Sequence, residues 1–240
     1  MELRTEWLGR IGYAEAWDRQ HALVAARAAG EVPDTLLLLE HDPVLTLGRN
    51  ADPSHVIAPE ALLAARGIAV HRVERGGEVT YHGPGQLVAY PIVRLADHDL
   101  LLRPFVRALE LAMADVAAAY GIAAGRRDGY PGSWVDAEGV LPRKLGALGL
   151  RVERGVSYHG IALNVTTDLD DFSLIDPCGM SGLVVTSIAR ELGWEGAAAR
   201  PSTESVAEAG RRYAAALGPR MADAIAVSRA AVTPAAARAG

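Results

Sequence analysis

The sequence of 240 residues holds one cysteine, Cys178, and one lysine, Lys144, against 23 arginines. A single thiol excludes an internal disulfide, so Cys178 is either inert and buried or chemically employed. The scarcity of lysine is more pointed, because nearly every fixed positive charge has been written as arginine. Arginine keeps its proton at any working pH, whereas a desolvated or crowded lysine ammonium can release it and act as a base. Lys144 is thus either a proton-transfer group or an accident of composition. No apolar run approaches the roughly 20 residues of a membrane span. The opening MELRTEWLGR is charged where a secretion signal would be apolar. The expected location is the cytoplasm, with no membrane partner.

A net charge of −5 without an extended basic block argues against nucleic acid as a partner. Basic residues do group locally, as Arg72 with Arg75, Arg126 with Arg127, and Arg143 with Arg151 and Arg154. These are either solvated surface or a docking face for an acidic protein. No histidine cluster, C-x-x-C or H-x-x-x-H spacing suggests a metal. Half the residues are apolar, enough to bury the core of one large domain.

Hydrophobic periodicity alternates between helix and strand along the chain, with no internal repeat. YAEAWDRQHALVAARAAG spaces Tyr13, Trp17, Leu23 and Val24 for an amphipathic helix closed by Gly30, and DTLLLLEH and PVLTLGR read as buried strands around Asp42-Pro43. A short helix over 59–66 leads into the strand GIAVHRVE. QLVAYPIV reads as a strand and RPFVRALELAMADVAAAYG as a helix ending at Gly121. Hairpin-like strands follow through Asn164, with Lys144 at a strand start. Helices over 187–192 and 202–217 complete a domain of 1–226, and 227–240, alanine-rich without an apolar stripe, is expected to be a disordered tail.

The segment Arg75-Gly76-Gly77-Glu78-Val79-Thr80-Tyr81-His82-Gly83-Pro84-Gly85-Gln86 packs four glycines and a proline into twelve residues. Such a backbone can approach a ligand closely and aim N–H groups at an oxygen, or it can simply turn between strands. It has neither the Gly-Lys-Ser/Thr of a Walker loop nor the spacing of a dinucleotide fingerprint. Tyr-His-Gly recurs at Tyr158-His159-Gly160. Cys178 lies between Pro177 and Gly179, a sharp turn able to present a thiol at a cleft.

Together these motifs closely resemble the lipoyl(octanoyl) transferase family. The run R-G-G-x-x-T-aromatic-H-G-x-G-Q is complete from Arg75 to Gln86, followed by Tyr90-Pro91. Lys144 through Gly149, His159 through Asn164 and Pro177 through Gly179 match further family motifs. The resemblance implies a single α/β domain with a mixed, largely antiparallel sheet, like the catalytic domains of biotin and lipoate protein ligases. It also implies transfer of an octanoyl group from acyl carrier protein to a lysine of a lipoyl domain, without cofactor or metal. The acceptors would be the lipoyl domains of 2-oxoacid dehydrogenase complexes and the glycine cleavage H protein. In that scheme Cys178 is the acyl-thioester nucleophile and Lys144 its base. Arg75, Gly76, Gly77, Glu78, Val79, Thr80, Tyr81 and His82 would bind the acyl group, together with Ala147, Leu148, Gly149, Gly160, Ile161 and Ala162. Gly146 departs from the family, which commonly has alanine there, and the departure bears on pocket width. The alternatives are an ATP-dependent lipoate ligase on the same scaffold, or a non-catalytic acyl- or carrier-binding module.

Overall fold

A computed structural model describes residues 3–176, 183–194 and 202–232. Cys178 lies outside the described residues. The main sheet has the order β1 (Arg4–Ile11), β2 (Thr35–His41), β6 (Gln86–Ile92), β10 (Val156–Asn164), β9 (Arg143–Glu153), β8 (Tyr130–Val135), β7 (Ala124–Arg127). A short strand, β11 (Val184–Val185), also pairs with β9. Only the β1–β2 and β11–β9 pairings are parallel, so the sheet is mixed and largely antiparallel. A smaller sheet is formed by β4 (Ala69–Arg72), β3 (Val44–Leu47) and β5 (Val79–His82).

The four leucines of β2 show why the main sheet is buried on both faces. Strand side chains alternate, and Leu36 and Leu38 enter a core with Phe105 and Leu109 of helix α3 (Leu102–Ala119) and Tyr213 and Leu217 of helix α5 (Thr203–Val232). Ile188 of the short helix α4 (Ile188–Glu191) belongs to the same core. Leu37 and Leu39 point the other way, against Ala16 and Val24 of helix α1 (Tyr13–Ala29). A strand covered on both sides needs a continuous apolar run, and β2 has one. The small sheet keeps its own core of Leu45, Leu47, Val79 and Tyr81, capped by Leu63 of helix α2 (Glu60–Ala65). Among the described residues no helix is long and apolar enough to cross a membrane.

The C-terminal helix departs from expectation. It does not stop at Gly218-Pro219 but runs on to Val232, so 227–232 are helical rather than part of a tail. Proline removes one helical hydrogen bond. Contacts with α3 outweigh that loss: Met221 and Ala224 are buried, Arg220 pairs with Asp115 at 2.6 and 2.7 Å, and the Ser228 hydroxyl accepts the Leu101 N–H at 3.0 Å. Residues 233–240 lie outside the described residues. Strand β1 is an element that the sequence pattern does not announce, because its exposed and half-buried residues give no clean alternation.

Strand β9 contains one irregularity. Ser133 of β8 pairs with Gly146, but the next residue, Trp134, pairs with Lys144, so Leu145 is an extra residue. This β-bulge places both Leu145 and the Cβ direction of Gly146 toward the α3 core, where a regular strand would separate them. Lys144 is thereby re-aimed onto the opposite face, into a cavity between the two sheets.

Candidate active site

The cavity opens between the main sheet and the small sheet and encloses about 810 Å³ including its solvent-open mouth. One wall is Gly146–Gly149 of β9 with Gly160–Ala162 of β10; the other is formed by Gly77–Thr80 and His82. Glycines allow the close approach of these walls. A Cβ on Gly149 would meet the Gly76 carbonyl at 2.8 Å. The Gly76 N–H donates to the Leu150 carbonyl at 3.0 Å, tying the glycine-rich segment to β9.

Of the expected acyl-binding residues, the cavity is lined by Arg75, Gly77, Glu78, Val79, Thr80, His82, Ala147, Leu148, Gly149, Gly160, Ile161 and Ala162, and Lys144 joins them. Gly76 and Tyr81 do not line it. Gly76 contributes the backbone tie, while Tyr81 alternates to the back of β5 and stacks edge-on with Phe172. Sequence reasoning missed Tyr13, Gln86, Tyr90, His159, Asn164, Phe172, Leu183 and Val185 as lining residues. Gln86, His159 and Asn164 stand inside the quoted motifs, which was the available signal; Tyr13 comes from α1, far away in sequence.

Arg75 is buried, and its guanidinium donates to the Thr46 carbonyl at 2.6 Å, to the Thr46 hydroxyl at 2.9 Å and to the Gly76 carbonyl at 3.0 Å. It is therefore a brace between β3 and the glycine segment. Arg143 is likewise engaged, bidentate to Glu191 at 2.8 and 2.9 Å, and Arg126 pairs with Glu110. Arg75, Arg126 and Arg143 are thus each held by partners within the protein.

Lys144 is half-buried, with Nζ 5.3 Å from the centre of the Trp134 ring, within range of a cation–π contact. Its strand is held from both sides. Where β10 stops pairing at Leu163, β11 takes its place beside β9, and the Thr186 N–H donates to the Lys144 carbonyl at 3.0 Å. Asn164 marks the changeover: its Nδ2 donates to the Thr186 carbonyl at 3.0 Å.

From this bond a whole relay can be oriented. With Nδ2 committed, Asn164 Oδ1 accepts from Gln86 Nε2 at 2.9 Å, which also donates to the Tyr81 carbonyl at 3.2 Å. Gln86 Oε1 must then accept, at 2.7 Å, from His82 Nδ1. His82 is therefore the Nδ1–H tautomer, leaving Nε2 as an acceptor. Burial, repulsion from His41 and the Arg75 charge push its pKa down to about 3, so the ring is neutral. Long-range ¹H–¹⁵N correlation spectra at neutral pH should show His82 protonated on Nδ1 alone. A proton on Nε2 would reverse the relay and refute this orientation.

Two more neutral histidines line or underlie the cavity. His41 Nδ1 donates to the Ile11 carbonyl at 3.1 Å, so Nε2 accepts from the Tyr90 hydroxyl at 2.8 Å, and burial lowers its pKa to about 4. His159 has φ 55 within a strand, an uncommon conformation for a bulky residue, and its N–H donates to the Gln20 side chain at 2.8 Å. Burial and the Arg75 charge bring its pKa to about 3.

Gly146 proves not to widen the cavity. A Cβ there would lie 2.7 Å from Met113 Sδ, on the core side, so Met113 fills the volume an alanine methyl would take.

Residues 12–212 match the family model of the lipoyl protein ligase A/B catalytic domain. The chain belongs to this family. It is an acyltransferase, and its relatives include an octanoyltransferase of Chloroflexus aurantiacus, 48% identical over 220 residues, covering 91% of this chain and 96% of that protein. Another, an octanoyltransferase of Acidobacterium capsulatum, is 48% identical over 200 residues, covering 80% of this chain and 81% of its own. Solved structures share the fold. A putative lipoate protein ligase from T. acidophilum superposes with a TM-score of 0.61 at 18% identity, covering 91% of this chain and 86% of that one. A lipoate-protein ligase A bound with ATP gives 0.60 at 17% identity, with the same two coverages, 91% and 86%.

Proposed function

We propose that this enzyme moves an octanoyl group from octanoyl-acyl carrier protein to a lysine side chain of a lipoyl domain, through a thioester on Cys178, in the cytoplasm. The observation that carries the reading is the place of Lys144 in an apolar-walled cavity lined also by Leu183, the first described residue after 177–182.

The chemistry comes from what a thiol and an amine can exchange. An ordinary thiol near pKa 8.5 is only a few per cent ionised at pH 7, so a neighbouring amine that accepts its proton supplies the nucleophile. The Cys178 thiolate attacks the donor thioester carbonyl and expels the carrier thiol, which leaves with a proton. The acceptor lysine amine then attacks the acyl-enzyme, an amide forms, and the Cys178 thiolate departs as Lys144 takes the amine proton. No cofactor enters. The apolar wall binds the alkyl chain at about 0.8 kcal/mol per buried methylene, roughly 5 to 6 kcal/mol for octanoyl. The acceptors proposed are the lipoyl domains of 2-oxoacid dehydrogenases and the glycine cleavage H protein.

Incubation with octanoyl carrier protein, without acceptor or ATP, should leave one hydroxylamine-labile octanoyl adduct by intact-protein mass spectrometry, absent from Cys178→Ser. Transfer that requires ATP and free acid would instead indicate a ligase. Binding without any adduct or transfer would indicate a non-catalytic module.

A further inference from the structure

The cavity changes character along its length. At the Lys144 end it is bordered by Phe172, Leu183 and Val185, and along its middle by Ala147, Leu148, Ile161 and Ala162. At the other end Gly149 packs against Arg75, and Gly160 lies across from Gly149 in the register of β9 and β10. There the lining becomes polar: Tyr13 and His159 join Arg75. Tyr90 is at the same level, but its hydroxyl is committed to His41. The other two are not committed. Among the described residues no hydrogen bond engages the Tyr13 hydroxyl, although Tyr13 is buried, and His159 Nε2 is buried without a hydrogen-bond partner, 3.6 Å from the Glu74 carboxylate.

Uncommitted polar atoms at one end of an apolar slot set a length limit. With Leu145 as the extra residue, Lys144 and Gly149 are four strand steps apart, about 13 Å at roughly 3.3 Å per step. An extended alkyl chain advances about 1.25 Å per C–C bond, so an octanoyl group covers about 9 Å. A chain of that length ends short of Tyr13, leaving its hydroxyl room for a bridging water. Each further methylene pushes an apolar terminus onto a hydroxyl that then has neither water nor partner, and leaving such a group unsatisfied is costly.

We propose that the Arg75 end of the cavity is a polar stop that measures acyl length, with the Tyr13 hydroxyl reading the terminus of the chain. The inference rests on the acyl-transfer reading, and the test separates the two. In the wild-type enzyme, kcat/KM is compared for nonanoyl and ω-hydroxyoctanoyl carrier protein, whose chains have equal length and differ only at the terminal atom. The stop predicts about a tenfold preference for the hydroxyl-ended chain, because it supplies the missing partner. An equal or higher value for nonanoyl overturns it, since an apolar end would reject the hydroxyl. In a second arm, Tyr13→Phe should raise the decanoyl-to-octanoyl ratio of kcat/KM about tenfold. An unchanged ratio in a folded Tyr13→Phe protein removes Tyr13 from the gauge. Loss of all octanoyl transfer by the wild type would instead strike the acyl-transfer reading itself.

Discussion

Lys144→Arg should give a folded enzyme whose kcat falls about 10²-fold or more, and Lys144→Ala should do no better. The head group at this position sits over the Trp134 ring, 5.3 Å from its centre, and an arginine can keep both the charge and the ring contact. What it cannot do is accept the proton of a thiol or an attacking amine. The substitution therefore separates charge from basicity. Circular dichroism must confirm folding, because space around the side chain is limited: a Cβ on Gly132 would lie 3.2 Å from Lys144 Cε. A well-folded Lys144→Arg enzyme with near wild-type kcat would end the proton-transfer role.

Acid should unfold this protein early. His41, His82 and His159 titrate near 4, 3 and 3 in the fold, mainly because burial disfavours the charged ring, against 6.5 when exposed. Between those values the unfolded chain binds more protons than the native one, so stability rises with pH across the window. It is fully present above about pH 6.5 and is lost as pH falls toward 4. Each histidine accounts for about 2 kcal/mol between pH 6.5 and pH 5, so the three together approach the total stability of an ordinary domain, about 5–15 kcal/mol. Urea midpoints measured from pH 7.5 to pH 5 should drop steeply, and His41→Gln should reduce the slope by about a third. A flat profile would mean that these rings are not buried neutral in solution.

Much of this architecture can be read from residue order, and the exceptions share a cause. β2, β6, α1 and α3 carry long apolar patterns dictated by burial, and each lies within a few residues of its expected span. β1 escapes such a reading because a half-covered edge strand needs no regular pattern. β5 is hidden because its four residues lie inside a segment whose glycines serve close approach to β9, and glycine reads locally as turn. The stop expected at Gly218-Pro219 fails because local propensity loses to packing on α3. In the site, the glycine-rich run and the two flanking motifs point to most of the lining, since those residues are contiguous. Tyr13 is invisible because only the packing of α1 onto the sheet brings it there. The Arg143–Glu191 pair is hidden for a related reason: the two residues are distant in sequence and close in space.

The extra residue at Leu145 gives Lys144 an unusual kind of vulnerability. Its direction is set by how many residues the strand contains rather than by which residues they are. A scan that exchanges side chains one at a time would record Leu145 as an ordinary core leucine. Shortening the strand there by one residue would instead send the amine into the oily interior behind the sheet, leaving every chemical group present and the machinery back to front.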